Sequence, residues 1–86
     1  MSSPWIVYVL VSESAERTYV GISTDLERRL NQHNGIVAGG ARSTRPGRPW
    51  KVGVTYGPYG TRSEALRIEG EVKRKRGRDR LSWSGS

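Results

Sequence analysis

Five side chains in this 86-residue sequence are of types that could share one reaction: the phenols of Tyr8 and Tyr19, the guanidinium of Arg29, the imidazole of His33 and the carboxylate of Glu69. Phenol and imidazole move protons, a guanidinium neutralises an anion, and a carboxylate takes up a proton or a hard cation. Each also has a plain structural reading. Tyrosine is an ordinary strand residue. Arg29 and His33, four residues apart, share one helix face, and such a face is commonly solvated and basic. Glu69 falls on an apolar stripe with Ala65, Ile68 and Val72, where a carboxylate is costly unless it is paired with an arginine or bound to a metal. His33 is the only histidine beside 15 lysines and arginines, so it alone has an ordinary pKa near neutrality.

These side chains need elements to position them. Residues 5–11, WIVYVLV, form an apolar run rich in β-branched residues and bounded by Pro4 and Ser12, which predicts a strand buried on both faces. A polar turn leads to a second β-rich run over residues 17–22, and an antiparallel hairpin is the simplest connection. A four-residue loop sets Val7 opposite Ile22, Val9 opposite Val20 and Val11 opposite Thr18. That register leaves Tyr8 and Tyr19 as diagonal neighbours on the other face. Thr24 and Glu27 suggest a capping box opening a helix of roughly three turns, with Leu26 and Leu30 on its packed side and Gly35 closing it.

Residues 35–49, GIVAGGARSTRPGRP, read as an exposed basic loop with room for a helical turn. Trp50 to Tyr56 alternates as a third strand, ended by Gly57, Pro58 and Gly60. Thr61 and Glu64 open a second helix that runs to Arg76, with Gly77 as its cap and a further turn after Arg78. Residues 82–86 read as a loose tail. The order strand, strand, helix, strand, helix predicts one small α/β sandwich over residues 1–86, with a central three-stranded antiparallel sheet flanked by helices.

A formal charge of +7 favours a polyanionic partner, nucleic acid first, but charge alone does not separate DNA from RNA, from an anionic membrane or from a merely soluble basic surface. Arg42, Thr44, Arg45 and Arg48 in the loop and Lys73, Arg74 and Arg76 on the second helix are the candidate phosphate contacts. The absence of cysteine excludes disulfides, thiolate zinc sites and a cysteine nucleophile. No apolar run is long enough to span a bilayer and no signal pattern opens the chain, so the expectation is a cytoplasmic protein without a membrane partner.

Val7-Tyr8 followed, eleven residues after the tyrosine, by Tyr19-Val20-Gly21 resembles the two half-motifs of the GIY-YIG nuclease family. The run YVGISTDLERRLNQHN resembles that family's second strand and following helix, with Arg29 at the family's arginine. GARSTRPGRPW resembles the pattern entering its third strand, and Glu69 in EALRIE falls where the family keeps a metal-binding glutamate. The likeness covers nearly the whole chain and is nearest to single-domain bacterial members and to the nuclease domain of the Slx1 endonucleases. Two departures stand out. Ile6 replaces the first glycine of the namesake motif, and no asparagine follows Asn34, so a late asparagine common in the family is missing or replaced.

The resemblance implies a metal-dependent DNA endonuclease of GIY-YIG fold, acting on single-stranded or branched DNA and leaving 3′-hydroxyl and 5′-phosphate ends. Glu69 would hold one Mg2+ or Mn2+ ion, Arg29 would neutralise the phosphate, and one tyrosine, helped by the other or by His33, would activate water. Gly21 would serve packing beside the tyrosines. The alternative is a non-catalytic nucleic-acid-binding module on the same scaffold; a homodimer or a partner protein is open in either case. A nuclease requires all five side chains to converge at one side of the sheet.

Overall fold

The computed structural model describes residues 3–84. β1 (Trp5–Ser12), β2 (Thr18–Ser23) and β3 (Trp50–Tyr59) form an antiparallel sheet in the order β2-β1-β3. The hairpin has the expected register, Val7 opposite Ile22, Val9 opposite Val20 and Val11 opposite Thr18. Because β1 is central, its alternating side chains enter two different cores. Val7 and Val9 pack with Val20 and with Ala65, Ile68 and Val72 of α2 (Arg62–Lys73). Tyr8 and Leu10 pack with Trp50 and, on α1 (Leu26–His33), with Leu26 and Leu30. The sheet is thus flanked by helices, and none of the described helices is long and apolar enough to cross a membrane.

The ends of the elements differ from the sequence reading in informative ways. α1 is capped by Asp25 rather than Thr24: its carboxylate accepts from the Arg28 amide at 3.1 Å, while the Ser23 hydroxyl fixes the Asp25 amide at 2.8 Å. The helix is consequently eight residues long, nearer two turns than three. It closes as expected at Gly35, which has φ +77. The Gly35 amide donates to the Gln32 carbonyl at 3.1 Å and the Ile36 amide to the Asn31 carbonyl at 2.9 Å, a Schellman pair.

β3 runs past Gly57 and Pro58, because its pairing with β1 resumes where Tyr59 meets Trp5. α2 starts at Thr61, whose hydroxyl accepts from the Glu64 amide at 3.1 Å. It stops at Lys73, not Arg76. The Arg80 guanidinium takes the Lys73 carbonyl at 3.1 Å and the Lys75 carbonyl at 2.9 Å, so acceptors of the last turn find a side chain instead of a further helical amide. Gly77, at φ +52, then opens a 3-10 helix over Gly77–Ser82 and does not cap α2. Nor is Trp83 loose: it meets Tyr56 edge to face at 5.1 Å and donates its amide to the Tyr56 hydroxyl at 3.1 Å. Residues 85–86 of the expected tail lie outside the described residues.

Candidate active site

Tyr8 and Tyr19 project from the same face of the hairpin, their ring centroids 6.4 Å apart. Gly21 stands opposite Tyr8 in the register, and a Cβ there would overlap the Tyr8 ring and hydroxyl. The glycine therefore opens the space through which the phenol crosses β2. His33, at the last turn of α1, closes the group from the other side at 6.0 Å from Tyr8 and 4.6 Å from Tyr19 between ring centroids.

The hydrogen bonds fix the tautomer of His33. Thr44 donates its single hydroxyl hydrogen to the Ala41 carbonyl at 2.6 Å, so toward His33 Nδ1, 3.1 Å away, its oxygen can only accept. Nδ1 therefore carries the proton and Nε2 is a bare acceptor. The Tyr8 hydroxyl, 3.0 Å from Nε2, is then the donor. A directed chain results: Tyr8 O–H to Nε2, Nδ1–H to Thr44, Thr44 O–H to Ala41.

Electrostatics agrees with that assignment. His33 is 0% exposed, and burial, reinforced by the charges of Arg29 and Arg48, holds its pKa at about 4. It is neutral at neutral pH. Burial likewise pushes the Tyr8 phenol above its ordinary value of 10.0, with Arg29 opposing and with Tyr19 and Glu69 adding to the rise. Arg29 on α1 and Glu69 on α2 belong to helices packed on opposite faces of the sheet, and both charges act on the phenol; direct contacts join Tyr8, Tyr19 and His33, while none links Glu69 to them among the described residues.

Arg29 is held by two acceptors, the Gln32 side chain and, at 3.2 Å, the Gly39 carbonyl. Glu69 lies on α2, at the margin of the buried stripe, with its side chain 16% exposed. The nearest cation is Lys73, at 3.7 Å and beyond direct hydrogen-bond length. No group of three histidine, aspartate or glutamate side chains gathers among the described residues. One partly exposed carboxylate oxygen is nevertheless a sufficient protein donor for a hard divalent ion that keeps most of its waters and takes a substrate phosphate. The donor set fits Mg2+ or Mn2+ and does not fit a fully caged metal.

The candidate phosphate contacts separate. Arg42 and Arg45 are exposed on a 3-10 helix over Arg42–Gly47, and Lys73, Arg74 and Arg76 are exposed at and beyond the end of α2. Thr44 is not on that surface. It is fully buried, its hydroxyl engaged by His33 and Ala41, because the 3-10 turn points it inward. Arg48 is half-buried and donates Nε to the His33 carbonyl at 2.6 Å, which makes it a clamp on the end of α1 before it is a phosphate ligand.

Sequence reasoning overlooked the supports of the histidine. Trp50 donates Nε1 to the Thr44 carbonyl at 2.6 Å, and its ring covers Gly47 closely enough that a Cβ there would overlap it. Asn34 brackets the same tryptophan, accepting its amide at 2.6 Å and donating to its carbonyl at 2.9 Å. The spacing of Thr44, Gly47 and Trp50 in GARSTRPGRPW is the trace these contacts leave in the sequence.

Comparison with known proteins gives a consistent result. A family model described as the GIY-YIG catalytic domain matches residues 4–82. The structure-specific endonuclease subunit slx1 of Schizosaccharomyces japonicus is 45% identical over 64 residues, covering 72% of this chain and 23% of that protein. The corresponding SLX1 homolog of Cryptosporidium parvum is 43% identical over 63 residues, covering 72% of this chain and 15% of that protein. The chain thus spans less than a quarter of the length of these relatives. The UPF0213 protein YhbQ of Escherichia coli K12 is 40% identical over 86 residues, covering 98% of this chain and 82% of that protein.

Proposed function

The chain belongs to the GIY-YIG catalytic-domain family, and from that premise we propose that it is a divalent-metal-dependent endonuclease hydrolysing single-stranded or branched DNA to 3′-hydroxyl and 5′-phosphate ends. The observation that carries the proposal is the Tyr8–His33 hydrogen bond of 3.0 Å, made to the unprotonated nitrogen of a buried imidazole. Both nitrogens of His33 are occupied and the ring is buried, so any proton reaching Nε2 passes through Tyr8. Tyr8 is therefore the relay: its oxygen accepts a proton from the attacking water as its own hydrogen moves to Nε2.

In the free protein that transfer is unfavourable, since a buried imidazolium would sit beside Arg29 and Arg48. A phosphate drawn to Arg29 offsets that positive charge and makes the transfer feasible once substrate is in place. Tyr19, the more exposed phenol, orients the water from the other side. Glu69 would hold one Mg2+ or Mn2+ ion, whose chemistry when bound is to neutralise charge on the scissile phosphate and the departing 3′ oxygen. The names of the relatives, structure-specific endonuclease subunits, support a DNA recognised by its structure and a further protein as partner.

The pairing of Glu69 with Lys73 keeps the second reading, a nucleic-acid-binding module without cleavage, in view. End-labelled single-stranded and flapped DNA, incubated with the protein in magnesium or manganese, separates the two. The wild type cuts, and Glu69→Gln binds the same DNA without cutting it. Equal cutting by both removes the metal role of Glu69, and binding without cutting by the wild type establishes the binding module.

A further inference from the structure

The segment that leaves α1 is firmly held, yet it presents two bare aliphatic side chains to water. Its start is fixed by the Ile36 and Val37 amides, which donate to the Asn31 carbonyl at 2.9 and 3.4 Å. Its end is fixed where Arg29 donates to the Gly39 carbonyl at 3.2 Å and where Gly40 lies so close to the Gln32 carbonyl that a Cβ would overlap it. Between these anchors Ile36 is 71% exposed and Val37 44% exposed, and neither joins either core. Two adjacent β-branched residues held in water bring nothing to folding and are suited to an apolar surface arriving from outside.

The charges around them narrow what that surface is. A groove of about 560 Å³ runs beside Ile36 and Val37, walled by Gln32, Gly40, Arg45 and Arg48. On the far side of Val37 lie Asp25 and Glu27, with Arg28. A polyanion is therefore drawn to the Arg45 and Arg48 side. The groove is also joined to the reaction site, because the guanidinium that reaches Gly39 is that of Arg29. Cationic walls beside an aliphatic tip match a nucleic-acid strand whose backbone follows the arginines and whose base has lost its stacking neighbour.

Resting on the nuclease reading, we infer that Ile36 and Val37 form a wedge that packs against an unstacked base at a branch, while Arg45 and Arg48 hold the adjoining backbone. The wedge favours branched DNA over DNA without a junction. The test uses the full chain and a flapped duplex carrying 2-aminopurine at the branch. In calcium, binding of the wild type brightens the probe, and the double variant Ile36→Ser/Val37→Ser abolishes most of that response. In magnesium, the same variant lowers the ratio of flap to single-strand cleavage about tenfold. Val52→Ser, which removes another exposed aliphatic on β3, leaves brightening and ratio at wild-type values.

Because both wedge positions are exposed, serine leaves the fold intact, and matching thermal melts check this. Wild-type brightening and ratio in the double variant overturn the wedge. So does a wild-type dimer in sedimentation that the double variant dissolves, since the tip would then be a protein contact. A wild type that cuts neither DNA removes the nuclease reading instead, and the brightening alone then decides the wedge.

Discussion

His33 is where residue-level chemistry is most constrained, because its tautomer, charge state and orientation follow from two hydrogen bonds and burial. Its stability linkage has a definite sign. The folded protein keeps His33 neutral down to about pH 4, whereas the unfolded chain protonates it below about 6.5. Between those values the unfolded state binds more protons, so stability is complete above 6.5 and falls as pH drops toward 4, by up to roughly 3 kcal/mol. Urea titrations at pH 7 and pH 5 should show His33→Asn losing distinctly less stability over that interval than the wild type; parallel losses would mean that the imidazole is not held neutral. The five candidate groups stood out in the sequence through the family resemblance, since types and spacings alone fit ordinary strand, surface and ion-pair residues equally well. Thr44 was not, since a threonine among arginines in a glycine-rich loop looks like a surface residue until the 3-10 turn shows it facing inward.

Among the elements, the hairpin was legible to the register, because two branched rows have only one pairing that places both in a core. Helix ends were less so. Thr24-Asp25 offers two adjacent cap residues, and local composition does not choose between them; the Ser23 hydroxyl on the Asp25 amide does. Asp25→Ala should therefore cost about 1 kcal/mol, with Thr24→Ala within a few tenths of wild type. The opposite ranking in chemical denaturation would return the cap to Thr24. The early stop of α2 was hidden for a different reason. It depends on Arg80, a residue beyond the helix whose guanidinium also reaches the Thr18 hydroxyl at 3.1 Å and so ties the end of α2 to the start of β2.

The molecule as a whole carries a formal charge of +7, concentrated in the loop arginines and around the end of α2. Composition pointed to a polyanion, but did not tell exposed arginines from those that brace the fold. Binding of DNA in calcium should weaken steeply with salt. Arg45→Ala and Arg74→Ala should each reduce the slope of log Kd against log salt by about one, as expected for exposed phosphate contacts. An unchanged slope in either variant would remove that residue from the DNA path. The two basic regions matter only if they deliver a phosphodiester to the buried phenol and imidazole between the hairpin and α1. Single-turnover cleavage of one labelled DNA by Tyr8→Phe, with binding measured in parallel, asks this directly. The relay through Tyr8 predicts a fall of about 100-fold or more in rate with affinity nearly unchanged, and a rate within about twofold of wild type would contradict it.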